Sequence, residues 1–139
     1  MKTISSIDTA TFIDIHGIYE PTIYEYFARL NNGEFIRAAE LFAPQGQLDP
    51  PFGNPIEGRD AIAQYLEEEA KGIKFYPEEG KLLMSLNNYT KYQIQGKVEI
   101  NWVAVNVSWS IQLNAEKGIM AIEVKLLASL NDLLIFNHV

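Results

Sequence analysis

Apolar residues recur along this chain with two different periods, and the change from one to the other divides it into a helical first half and a stranded second half. Ile23, Tyr26, Phe27 and Leu30 stand at i, i+3, i+4 and i+7, one stripe of a helix. Pro21 suits the first turn of that helix, and Asn31-Asn32-Gly33 stops it. Phe35, Ala38, Ala39 and Phe42 repeat the spacing in a second short helix, ended by Pro44. A third helix is predicted over 59–70, with Ile62, Leu66 and Ala70 on one face and Glu67-Glu68-Glu69 as a solvated run. Between the second and third helices, Pro50, Pro51 and Pro55 allow a turn or an edge strand only.

From Ile73 onward the period is two. Tyr92, Ile94, Val98, Ile100 and Trp102 form one alternating run, Val105 to Leu113 a second, and Met120 to Leu126 a third. These read as half-buried antiparallel strands. The apolar set is even-numbered up to Trp102 and odd-numbered from Val103. Such a switch needs a turn or bulge, expected near 102–106. A short C-terminal helix is expected over 129–136. Residues 1–20 read as an N-terminal arm and 21–139 as one domain. Three helices followed by strands predict an α+β fold, helices packed on a curved antiparallel sheet. Such a wrap leaves a cavity at its open end.

Composition narrows the function. Of 139 residues, 47% are hydrophobic and the formal net charge is −7. Eleven scattered basic residues oppose binding to nucleic-acid phosphate. The absence of cysteine excludes thiolate metal sites and cysteine nucleophiles. Residues 1–15 lack the apolar core of a signal peptide, and no apolar run reaches the roughly 20 residues of a membrane span. A soluble, cytoplasmic protein is expected. His16 and His138, the only histidines, have no second ligand at metal spacing, so no metal is expected. No G-x-S-x-G elbow or phosphate loop is present.

Among the carboxylates, Glu99 and Glu123 fall in the polar phase of their strands, while Asp49 stands before two prolines. Each has a solvent-facing reading, and Asp49 also that of a general base. Tyr26 and Trp109 lie on apolar faces and carry donors. Buried, they need acceptors: either backbone groups of a filled core or the carbonyl oxygen of a ligand.

The stretches Tyr26-Phe27-Ala28-Arg29-Leu30-Asn31 and Glu40-Leu41-Phe42-Ala43-Pro44 resemble the opening helices of NTF2-like (SnoaL-like) proteins. Pro50-Pro51-Phe52, Pro55-Ile56-Glu57-Gly58-Arg59, Pro77-Glu78-Glu79-Gly80, Gly96-Lys97-Val98, Asn106-Val107-Ser108-Trp109 and Leu126-Leu127-Ala128-Ser129 are similar, in order, to the C-terminal domain of the orange carotenoid protein and its stand-alone homologues. That resemblance implies an NTF2-like cone that binds a ketocarotenoid of the echinenone or canthaxanthin type. Tyr26 and Trp109 match the residues that hydrogen-bond its keto oxygen, and Trp102 a tryptophan near the mouth. Val124 and Leu126 match cavity-facing strand positions, and Leu30 and Phe52 complete the expected ligand-binding set. It also implies a homodimer, a helical carotenoid-binding protein as transfer partner, and a photoprotective role.

The segment between Trp102 and Trp109 departs from that family in being shorter and free of glycine. The family's all-helical N-terminal domain has no counterpart in the segment before Pro21, and without cysteine no thiol can cross-link dimers. Two other readings stay open, an interaction module and an enzyme. For an isomerase of this superfamily, an oxyanion-hole tyrosine would match Tyr26, but the position of its aspartate base falls on Pro50, so no enzymatic activity is expected.

Overall fold

The computed structural model describes residues 12–127. The expected C-terminal helix and His138 lie outside the described residues, as do the first eleven residues of the N-terminal arm.

The three helices that the periodicity predicts are present, two before the first strand and the third after two strands. Helix α1 spans Pro21–Asn31, α2 Phe35–Glu40 and α3 Arg59–Glu69. Pro21 opens α1, and the Glu20 side chain caps it by accepting from Thr22 N at 3.2 Å. Its stripe of Ile23, Tyr26, Phe27 and Leu30 is buried as a unit. Burying a side chain such as Phe27 contributes about 2–3 kcal/mol. Helix α2 is shorter than its pattern predicts. It ends at Glu40, and Phe42 already belongs to a strand.

Strands β1 (Phe42–Asp49), β2 (Ile56–Glu57), β3 (Lys74–Leu86), β4 (Tyr89–Ile100), β5 (Val103–Asn114) and β6 (Ile119–Leu127) form one sheet in the order β2-β1-β6-β5-β4-β3. Every adjacent pair is antiparallel except β1 and β6, which run parallel. Direction is forced only where a hairpin links neighbours. β1 and β6 are separated by α3 and four strands, so local pattern carries no direction for them. β1 is an interior strand, and the turn and edge strand expected of the three prolines follow it, as the loop 50–55 and β2. Pro50, Pro51 and Pro55 lie after it, in the loop to β2, and Pro44 sits where its register with β6 is irregular. Proline is tolerated at such irregularities because no ladder N–H is required there.

The phase switch is a hairpin. Ile100 pairs with Val103, leaving Asn101 and Trp102 as the two turn residues with φ of 50° and 72°. Positive φ at both positions defines the type I′ turn, which matches the twist of the flanking strands. β3 has no clean alternation because its register shifts twice, near Pro77 and near Leu82.

The core lies between the helices and the concave face of the sheet, with Phe27, Phe42, Trp109, Ile94, Ile111 and Ile122 fully buried. Ile13, Ile15 and Ile18, from the segment before α1, are packed against it. Ile15 and Ile18 are buried, His16 N donates to Glu78 O at 3.0 Å, and Gly80 N donates to His16 O at 2.8 Å. The Tyr24 hydroxyl donates to Ile18 O at 2.7 Å and accepts from Ile15 N at 3.1 Å.

Asn31 ties α1 to β3. Its side chain donates to Phe75 O at 2.9 Å and accepts from Phe75 N at 2.8 Å. Asn31→Ala removes both bonds while favouring the helix slightly. The expected loss is about 1–2 kcal/mol, read as a lower urea midpoint with unchanged slope. An unchanged midpoint would show that water replaces the clamp without cost.

Candidate functional site

A cavity of about 370 Å³ opens where the sheet curls away from the helices. Burial separates its floor from its mouth. Tyr26 and Leu30 from α1, Leu48 from β1, Leu66 from α3, and Val107 and Trp109 from β5 form the floor, all buried. Pro51, Phe52, Glu69, Ile100 and Leu126 line the mouth and are exposed. The volume is that of a small-molecule site, and the lining is apolar with few polar groups, as such sites are.

Two of those polar groups are on the floor. Tyr26 is 3% exposed and Trp109 2% exposed. Their rings are locked through Phe27, which meets Tyr26 edge-on at 5.5 Å and Trp109 at 4.9 Å. Phe42 packs on the other side of Tyr26 at 5.9 Å. Tyr24, two residues earlier, gives its hydroxyl to the backbone. Tyr26 and Trp109 differ: both line the cavity, and among the described residues neither side-chain donor makes a hydrogen bond to protein. Burial, with Tyr65 adding to it, pushes the Tyr26 hydroxyl well above the ordinary tyrosine range. It therefore stays protonated, and a donor, at neutral pH.

Six of the seven residues expected from sequence share this cavity: Tyr26, Leu30, Phe52, Trp109, Val124 and Leu126. Trp102 does not line it. It stands at the β4–β5 turn, 94% exposed, two residues beyond Ile100 on the mouth. Left-handed backbone at a bulky residue costs roughly 1–2 kcal/mol, so the turn holds this indole outward at some strain.

Pro50 is on the wall, whereas Asp49 is not among the lining residues. Asp49 is in register with Glu123 of β6, and successive strand residues face opposite sides of the sheet. The lining carboxylate is instead Glu69, beside Tyr65. Burial raises the Tyr65 pKa, and the Glu69 charge raises it further. Glu69 is exposed, as its acidic run predicts, yet it is part of the wall. The signal was present: Ile62, Tyr65, Leu66, Glu69 and Ala70 follow i, i+3, i+4, i+7 and i+8, so Glu69 lies on the inward stripe of α3.

Among the described residues no group of three or more His, Cys, Asp or Glu side chains could hold a metal, and no helix is long and apolar enough to cross a membrane.

No protein-family model matches the chain. It is 35% identical over 135 residues to the orange carotenoid-binding protein of Synechocystis sp., a match covering 93% of this chain and 43% of that protein. Among solved structures, the Anabaena (Nostoc) sp. orange carotenoid protein binding canthaxanthin superposes with a TM-score of 0.83 at 34% identity, over 93% of this chain and 42% of that one. An NTF2-like protein of unknown function from Cytophaga hutchinsonii matches with a TM-score of 0.61 at 18% identity, over 82% of this chain and 94% of that one, and shows the fold alone. The chain thus spans less than half the length of the carotenoid-protein relatives it matches. It is a homologue of the C-terminal part of the orange carotenoid-binding protein, built on the NTF2-like fold.

Proposed function

We propose that this chain binds and carries a ketocarotenoid of the echinenone or canthaxanthin type, holding one end ring in its cavity by hydrogen bonds from Tyr26 and Trp109 to the keto oxygen. The observation that carries this reading is the pair of buried donors. Both residues line an apolar void, and among the described residues neither donor bonds to protein. A carbonyl oxygen has two lone pairs and can accept from both. An apolar ligand that displaced water from these donors without offering an acceptor would leave them unmet at about 1–3 kcal/mol each, and a carbonyl oxygen avoids that cost.

The remainder of such a ligand would leave the cavity past Phe52, Ile100 and Leu126. Exposed apolar side chains continue outward from this mouth through Trp102, Val103 and Leu127. A large exposed apolar patch favours a partner. In this reading two copies cover the polyene as a homodimer, and a helical carotenoid-binding protein exchanges it. Bound pigment would serve photoprotection in the cytoplasm, with no bond chemistry by the protein. An interaction module with a filled cavity is less well supported, because among the described residues no side chain fills the cavity. An isomerase-like enzyme is less well supported because Pro50 occupies the wall and Asp49 does not reach it.

The test is a visible spectrum of the protein purified from cells that make canthaxanthin or echinenone. Bound pigment with absorption shifted to the red of the free carotenoid is expected. A colourless protein from pigmented cells would refute the reading.

A further inference from the structure

Among the described residues the walls of the cavity carry one charge, and its sign is negative. Glu69 stands at the mouth, and no Lys or Arg of those residues lines it. The floor offers only neutral donors, the Tyr26 hydroxyl and the Trp109 indole. A ligand with an anionic head has two ways to enter, and both are unfavourable. Head first, its carboxylate would sit at the floor beside those donors but without a cation, and an unpaired buried charge is costly. Tail first, the carboxylate would stop at the mouth against Glu69. Tyr65, held protonated by burial and by that same carboxylate, offers a neutral donor there and no compensating charge.

We propose that Glu69 makes the cavity select by charge, admitting neutral apolar ligands and excluding anionic ones such as fatty acids and retinoate. This rests on the reading of the cavity as an apolar ligand site, and adds to it the class of ligand that is refused. Glu69 reaches the site because it falls on the inward stripe of α3, between Tyr65 and Ala70, both of which line the cavity. Its exposure limits its share to a few-fold in affinity, because water screens charges near a surface.

The experiment compares methyl retinoate with retinoate, which share a skeleton and differ in charge, at mildly alkaline pH. Binding is followed by quenching of tryptophan emission. The wild-type protein is expected to favour the ester by about 30-fold or more, as burying a charge without a partner requires. Glu69→Gln is expected to narrow that ratio about 3-fold, and Glu69→Lys by 10-fold or more, because it supplies the missing cation. A ratio cancels any general loosening of the mouth in a variant. Raising the salt concentration should narrow the wild-type ratio, since the mouth is exposed. A wild-type ratio near one overturns the proposal, as does a ratio that neither substitution moves. If neither compound binds the wild-type protein, the apolar-ligand reading itself fails, and charge selection falls with it.

Discussion

A Tyr26→Phe/Trp109→Phe protein is expected to bind a ketocarotenoid about 30- to 150-fold more weakly than the wild type, and to hold what remains with absorption shifted to the blue. Each substitution deletes one donor and keeps an aromatic ring. A net hydrogen bond is worth about 1–1.5 kcal/mol, so two on one oxygen give about 2–3 kcal/mol, and each 1.4 kcal/mol is tenfold in affinity. The colour change has a separate origin. Donors on the keto oxygen withdraw electron density from the conjugated chain, and removing them relaxes that polarisation. A carotenoid without a carbonyl serves as the control: it offers these donors no oxygen, so any weakening of its binding in the variant reports lost ring volume and not lost hydrogen bonds. Phe27 packs edge-on against Tyr26 and Trp109 and is untouched, while Trp109→Phe also removes ring volume from the floor. If the double variant bound the ketocarotenoid as tightly and with the same spectrum, the two donors would have no part in holding it.

Gly96→Ala is expected to destabilise the fold by about 2–3 kcal/mol, a large effect for one methyl group. Gly96 lies opposite Pro77, where the register of β3 shifts. A Cβ there would sit 2.1 Å from Tyr76 O and 2.7 Å from Pro77 Cα. Both are backbone atoms, so no side chain can swing aside. The cost is that of overpacking, typically 1–3 kcal/mol, and toward the upper end because the ladder itself must move. β3 carries Phe75 and β4 carries Val98 and Ile100, all on the cavity wall. Ligand binding should therefore weaken along with the urea midpoint. An unchanged midpoint would mean that the irregular part of β3 yields freely.

Much of this was legible in the chain, and the illegible parts have physical reasons. Helices α1 and α3 could be bounded closely because Pro21, Asn31-Asn32-Gly33 and the stripe on α3 act locally. The hairpin at Asn101 and Trp102 was legible as a change of phase, since a strand cannot turn over without a break. The parallel pairing of β1 with β6 was not, because it joins segments far apart in sequence and no local residue encodes it. Tyr26 and Trp109 stood out as polar donors in apolar phases. Glu69 did not, because a run of three glutamates reads as solvated and this one is both solvated and part of the wall. The outward position of Trp102 depends on a tight turn that the alternation pattern located only to within a few residues.

The parallel contact between β1 and β6 also bears on the order in which the domain matures. Tyr26 is on the first helix, and Val124 and Leu126 are on the last of the six strands, which must insert between β1 and β5. Contacts between such distant segments form late and slow folding, because their loop closure is costly. During synthesis the helices and the β3–β4–β5 meander emerge first, with a gap where the last strand will lie. Until it is filled, the apolar floor is open along its whole side. The nascent chain is then a sticky half-shell, and it becomes a selective vessel only when the final strand zips in.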